Sequence, residues 1–219
     1  MGINIAIDGT AGSGKGTLAN LVAKRRGFYH LDTGAIYRSI AYFMLQGKID
    51  INNEKAVIKN LKKIKFEIVF DEKTKKQINL LNGVDLGLRI RAEEVSKAAS
   101  IVSQYEKVRE FAVKIQRKIA KNNNIIIEGR DIGTVVLPKA KYKFFLTAEP
   151  EVRAKRRLLQ LNLPESEFEN VLEEIVARDK RDMERAISPL KKAEDAILID
   201  NSNYTIEQTV KLVCSKIKI

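Results

Sequence analysis

Cysteine and histidine are nearly absent from this 219-residue chain, which carries one of each, Cys214 and His30. A lone cysteine excludes an intramolecular disulfide and a cysteine-based zinc cluster, and burial is the role expected of it. A lone histidine excludes a multi-histidine metal centre and argues against a histidine-driven nucleophilic triad. Chemistry must therefore come from carboxylates, lysines and arginines. No stretch approaches the ~18 consecutive apolar residues that span a bilayer, and no basic segment followed by an apolar one opens the chain. A cytoplasmic location without a membrane partner is expected. Internal repeats and low-complexity linkers are lacking as well. Acidic residues are in short supply, 28 against 40 Lys and Arg, which leaves a formal charge of +12. The excess lysines are scattered through IKNLKKIKF (58–66), DEKTKK (71–76) and the closing KIKI, with no basic tract interleaved with aromatics. Scattered lysines make a solvated surface, so nucleic acid is not an expected partner. A 44% hydrophobic content suffices for one core, with or without a small inserted lobe.

What is present begins with INIAIDGTAGSGKGT (3–17). Ile3, Ile5 and Ile7 predict a β-branched strand, and a helix-compatible run follows Lys15. Between them Gly9, Gly12 and Gly14 permit close backbone approach to an anion, while Thr10, Ala11 and Ser13 complete the loop. The pattern G-x-x-x-x-G-K, matched by Gly9, Gly14 and Lys15, is a cradle whose backbone N–H groups and helix N-terminus face phosphates, with the lysine reaching the outer ones. Gly16 follows the lysine where a hydroxyl residue is usual, and the hydroxyl moves to Thr17. A glycine-rich turn that happens to hold a lysine is the structural alternative.

Further along, residues 15–26 place Leu18, Leu21 and Val22 on one helical face, closed by Gly27. A short strand at 28–31 leads into a helix capped by Asp32 or Thr33, with Tyr37 and Arg38 on its first turns. These two are either surface residues or the reader of a second anion. After an amphipathic helix over 53–62, alternation at Phe66, Ile68 and Phe70, then Ile78 and Leu80, with a turn at Asn82-Gly83, predicts a small β insertion over 63–91. Two helices within 92–120, broken near Ser103–Tyr105, carry Ser100 and Arg109. A buried strand, 124–128, delivers Glu128-Gly129-Arg130-Asp131 at its C-terminal end, where open parallel sheets place ligands. Another, 142–147, precedes a helix with Arg153, Arg156 and Arg157 at spacings of three and four, hence on one face. Mutual repulsion there is relieved by solvent, by acidic partners or by a polyphosphate. After Pro164, Arg178, Arg181, Asp182 and Arg185 form a second stripe, read either as phosphate handling or as an exposed ion network. A last strand (196–200) and a closing helix (205–217), with Ile206, Val210, Val213 and Ile217 inward, complete an α/β parallel sheet.

Taken together, IAIDGTAGSGKGT (5–17), LDTGAIYR (31–38), EGRDIGTVVLP (128–138), FLTAEPEVRAKRR (145–157) and the run from Arg178 to Asp200 closely resemble the bacterial cytidylate kinases of the longer form, P-loop enzymes that phosphorylate CMP or dCMP. The resemblance implies one kinase domain: a five-stranded parallel core (1–34, 105–150 and 188–219), a nucleoside-monophosphate lobe (35–104) holding the insertion, and a helical lid (about 151–187). It implies ATP on Gly9, Thr10, Ala11, Gly12, Ser13, Gly14, Lys15, Gly16 and Thr17, with Mg²⁺ as cofactor reached through Thr17. The acceptor phosphate falls near Tyr37, Arg38 and Arg130, and the cytosine edge on Ser100, Arg109 and Asp131. Arg178 and Asp182 then face the ribose, with Arg185 tying Asp182 to the phosphate; Thr33 stands where serine is common. Lys15, Arg130, Arg153, Arg157 and Arg185 are the expected catalytic cations. Glu128 departs from the commoner aspartate or alanine, which leaves the support of the magnesium shell open. A monomer is expected. The rival readings are a kinase of another small acceptor, such as UMP, AMP or shikimate, and a basic P-loop module that binds nucleic acid.

Overall fold

A computed structural model of the chain describes residues 2–218. Isoleucine-rich runs flanked by loops become strands that are buried on both faces, as parallel sheets require. The strands β1 (Asn4–Gly9), β2 (Tyr29–Asp32), β6 (Ile125–Gly129), β7 (Tyr142–Thr147) and β8 (Ile197–Asp200) form one parallel sheet in the order β2-β6-β1-β7-β8. Its centre is dry: Ile5, Ile7, Ile125, Ile126 and Ile127 are fully enclosed. The register sets Asp8 of β1 beside Gly129 of β6, and Asp32 of β2 beside Glu128. The strand ends that carry the phosphate loop, the acidic cap and the GRD run therefore lie side by side at one edge of the sheet.

Helices α1 (Lys15–Arg26) and α8 (Ile206–Lys216) pack on one face through Leu18, Val22, Val210 and Val213. Gly27 ends α1 in a left-handed conformation, φ 68°, which a side chain would resist. Ile206, expected inward, is 36% exposed, because it opens α8 immediately after the Thr205 cap and lies ahead of the apolar stripe. Cys214 is half-buried against the same cluster rather than enclosed.

Helices α2 (Thr33–Gln46), α3 (Glu54–Leu61), α4 (Glu93–Val102) and the first half of α5 (Glu106–Asn122) enclose a second core built from Ile36, Ile40, Val57, Val102 and Val108. The insertion joins it through Phe66 and Leu81. It is an antiparallel sheet of β3 (Phe66–Phe70), β4 (Gln77–Leu81) and β5 (Val84–Asp85). A small separate cluster of Ala154, Leu158, Val171 and Ile175 joins α6 (Pro150–Leu161) to α7 (Phe168–Glu184). The fold class expected from the sequence, a P-loop parallel sheet with flanking helices and a small antiparallel insertion, is the fold observed.

Candidate active site

The loop between β1 and α1 is held open from behind. Gly14 caps α1 at φ 89°, with no side-chain cap and no acidic residue in the first turn, so the leading N–H groups of the helix face outward unopposed. Gly9, at φ 149°, lies against the Leu146 carbonyl of β7, a contact any Cβ would prevent. Both backbone groups of Ala11 are gripped from the α6–α7 pair: Asp179 Oδ1 accepts from its N–H at 2.8 Å, and Arg153 Nη1 donates to its carbonyl at 2.9 Å. Arg153 and Asp179 bond each other as well, both almost wholly buried. Asn201, beyond β8, donates to the Ser13 carbonyl at 3.1 Å. Lys15 lies across the loop, its Nζ donating to the Thr10 carbonyl at 2.6 Å. Burial, followed by the field of Arg130, pushes the Lys15 ammonium down to about 7.

Beside the loop, a cleft open to solvent runs between α2, α4, the start of α5, the GRD turn and the end of α7. Thr33, Tyr37 and Arg38 come from α2, Ser100 from α4 and Arg109 from α5. Arg130 and Asp131 follow β6, and Arg178, Asp182 and Arg185 come from α7 and its cap. All ten residues singled out for the second ligand thus meet in one place.

Their partners divide the cleft in two. At one end Arg109 pairs with Asp131, donates to the Ser103 carbonyl at 3.1 Å, and stacks its guanidinium 5.4 Å from the Tyr37 ring. At the other, Arg130 Nε donates to Asp182 Oδ2 at 2.8 Å. Burial opposes ionisation of Asp182, but Arg130, Arg178 and Arg185 outweigh it and hold the carboxyl below its usual range. Burial and then the Arg130 charge push Arg178 down to about 10, and burial raises Tyr37 to about 12. Five buried donors around this space lack a hydrogen-bond partner: Tyr37 OH, Arg38 Nε, Arg109 Nε, Arg178 Nε and Arg185 Nη2, the last 3.9 Å from Asp131 Oδ1. Leaving such groups unsatisfied is costly, and clustering cations costs more. An anionic ligand removes both penalties.

Comparison with known proteins gives this arrangement its relatives. The profile of the cytidylate kinases matches residues 5–219. The chain belongs to the cytidylate kinase family. The cytidylate kinase of Thermosipho melanesiensis is 46% identical over 220 residues, covering 100% of this chain and 98% of its own. That of Bacillus cereus is 44% identical over 215 residues, covering 97% and 95%. Among solved structures, a protein from Eubacterium ventriosum superposes with a TM-score of 0.54 at 13% identity, covering 98% of this chain and 97% of its own. A gluconokinase from Sinorhizobium meliloti gives 0.51 at 10% identity, covering 98% and 90%. These two likenesses concern the fold alone.

Within this cytidylate kinase family member, the arginine stripe of α6 does not act as one face. Arg153 turns inward to Ala11 and Asp179, and Arg156 goes to Asn201 at 2.9 Å. Arg157 touches Gln160 at 3.1 Å, and neither Arg153 nor Arg157 lines the cleft. Arg181 is exposed, and because α7 stops at Glu184 the chain turns extended at Arg185, whose Nε donates to the Ser188 carbonyl at 2.6 Å. Asp32 rather than Thr33 caps α2; the Thr33 hydroxyl donates to the Glu128 carbonyl at 2.7 Å.

Two residues the sequence reading passed over also shape the site. Asp8 accepts from the Ile132 and Gly133 N–H groups at 2.8 and 2.7 Å, clamping the turn after Asp131 onto the strand that carries the phosphate loop. Burial raises its carboxyl to about 6, against the pull of those two donors. Asp179 is the other, within the quoted 178–200 run but given no role there. An acidic residue in an otherwise apolar strand, as Asp8 is, was the available signal.

Proposed function

We infer that this enzyme moves the γ-phosphoryl group of ATP onto the phosphate of CMP or dCMP, giving ADP with CDP or dCDP. The observation that carries the reading is the set of unpartnered buried donors, four of them on guanidinium groups, around a cleft adjoining an uncapped helix N-terminus. Two anion sites side by side are what transfer between two phosphates requires.

The triphosphate lies on the backbone of Gly9 to Thr17, with Lys15 leaving the Thr10 carbonyl for the outer phosphates. The acceptor phosphate lies between Tyr37, Arg38 and Arg130, and Arg185 links it to Asp182. Arg178 and Asp182 face the ribose. Ser100, Arg109 and Asp131 take the cytosine edge, with Asp131 Oδ1, the oxygen Arg109 does not bind, accepting from the base amino group; UMP, lacking that group, leaves this oxygen unmatched. Thr33 holds the strand-end carbonyl beside them. The acceptor oxygen is already anionic, so no strong side-chain base is needed. Catalysis consists of holding both phosphates in line and surrounding the migrating group with cations. Lys15 and Arg130 are those cations from outside the lid, and Arg185 joins them from its C-terminal end. Arg157, tied only to Gln160, is the one that α6 brings over as residues 151–187 close as a lid; Arg153 serves by holding Ala11. Closure of this lid against the 35–104 lobe excludes water as a rival acceptor.

The residues suit Mg²⁺ carried in by the nucleotide. Among the described residues no cluster of three or more acidic, histidine or cysteine ligands could hold a metal alone. The Thr17 side chain is exposed in the first turn of α1, and the Glu128 carboxylate lies where a Cβ at residue 16 would come within 2.8 Å of its Oε1. A side chain at residue 16 would displace the Glu128 carboxylate, and Thr17 with Glu128 would hold the metal, the latter through water. Held there, Mg²⁺ would supply positive charge against the triphosphate. A monomer is part of the same reading. Among the described residues no helix is long and apolar enough to cross a membrane, and a cytoplasmic location belongs to the same reading.

Phosphorus NMR of the enzyme with ATP, Mg²⁺ and CMP tests the reaction: ADP and CDP should appear in equal amounts. Release of ADP with inorganic phosphate and no CDP would contradict it.

A further inference from the structure

The antiparallel insertion contributes no residue to the lining of the cleft, yet one of its side chains reaches the machinery. Strand β2 is an edge of the parallel sheet, so some of its peptide groups face outward with no strand to meet them. At Asp32 that partner is the carboxamide of Gln77 on β4. Gln77 Oε1 accepts from the Asp32 N–H at 2.8 Å, and Nε2 donates to the Asp32 carbonyl at 3.4 Å. The orientation of the amide is fixed, because a backbone N–H can only donate. Nε2 also donates to Asn79 Oδ1 at 2.6 Å, which holds it there.

Asp32 is the hinge between the sheet and the cleft. Its Oδ1 accepts from Ala35 N–H at 3.2 Å, capping α2, and its Oδ2 accepts from Arg38 Nη2 at 2.6 Å. Arg38 lines the cleft with its Nε unpartnered. The insertion is fastened to β2 by separate contacts too: the Phe70 and Tyr29 rings lie 4.6 Å apart, and Lys75 Nζ sits 4.7 Å over the Tyr29 ring. Docking as such therefore does not depend on Gln77, which leaves the pairing with Asp32 free for another purpose.

We propose that Gln77 is a positioning residue for the acceptor phosphate: by pairing with the Asp32 peptide it sets the capping carboxylate, and through it the placement of Arg38. This rests on the acceptor-phosphate role given to Arg38 above. The insertion is then a specificity support for the monophosphate and not an ornament of the lobe.

Gln77→Met keeps length and volume and removes both hydrogen bonds to Asp32, together with the one to Asn79. Loss of one or two neutral hydrogen bonds predicts CMP KM and calorimetric CMP Kd raised about 3- to 10-fold. KM for ATP should stay within about twofold, since the donor loop makes no contact with Gln77. Arg38→Ala should raise CMP KM by itself, and adding Gln77→Met to it should raise it no further, because the effect travels through that guanidinium. Lys75→Ala, which loosens the docking without touching Asp32, should leave CMP affinity unchanged. Gln77→Leu serves as a second variant if the Met side chain lowers the melting temperature. The proposal is overturned if both Gln77 variants bind CMP like the wild type, or if the effects of Gln77→Met and Arg38→Ala simply add. Should Arg38→Ala itself leave CMP affinity unaltered, the acceptor-phosphate reading fails and this inference with it. An Arg38 effect without a Gln77 effect overturns this inference alone.

Discussion

Lys15 carries its charge in a buried loop, among Arg130 and Arg178 with only Glu128, Asp182 and Asp8 opposed, and its ammonium sits at about 7 against an ordinary 10.5. Between those two values the unfolded chain holds a proton that the folded, nucleotide-free protein has released. The contribution of Lys15 to stability is therefore full above pH 10.5 and is lost as pH falls toward 7. Binding reverses the balance, because a polyphosphate on Lys15 restores its proton. Calorimetry of ATP binding at pH 8 to 9, in buffers of different ionisation enthalpy, should show uptake of about one proton per nucleotide, with affinity weakening as pH rises. Lys15→Met should abolish that uptake. A wild-type enzyme that binds ATP with no proton exchange above pH 7 would show that Lys15 is already charged. Gly16 was legible as an oddity from sequence, but the Glu128 carboxylate beside it was not, because Glu128 comes from β6, more than a hundred residues away.

Among the elements, the strands and most helices were legible because isoleucine runs, glycine stops and caps are local signals. The directions of long side chains were not. The spacing of Arg153, Arg156 and Arg157 puts them on neighbouring parts of α6, but the ends of Arg153 and Arg156 are decided by Asp179 on α7 and Asn201 beyond β8, which spacing within α6 says nothing about. The same holds for Gln77 on Asp32 and for Asp8 on the Ile132–Gly133 turn. The Arg153–Asp179 pair makes α6 and α7 a grip on the donor loop. Asp179→Ala leaves a buried guanidinium unpaired and should cost about 3–5 kcal/mol in urea unfolding. Asp179→Asn, which keeps an acceptor for the Ala11 N–H, should cost less. It should raise KM for ATP more than KM for CMP, because it loosens Ala11 but touches nothing in the acceptor cleft. Equal changes in both constants would show that the pair supports the fold as a whole and not the loop.

Over the whole molecule, the two anion sites are joined by few ties. Asp8 connects the strand of the loop to the turn that presents Asp131, and Arg130, paired with Asp182 in the cleft, is also the main charge lowering Lys15. The convergence of these residues was legible at this scale, since all ten named from stretches up to 152 positions apart (33 to 185) meet in one cleft. Which side chains stay free for a ligand was not, because it depends on how many partners each guanidinium finds after folding. The central claim is that this cleft recognises a cytosine monophosphate. Its most direct test is kcat/KM at saturating ATP for CMP, dCMP, UMP, AMP and shikimate in one coupled ADP assay. CMP and dCMP should lead UMP, AMP and shikimate by a factor on the order of 10² or more, as expected where a buried acceptor is left unpaired by the wrong base. UMP or AMP turning over as well as CMP would contradict the assignment of Ser100, Arg109 and Asp131 to the cytosine edge.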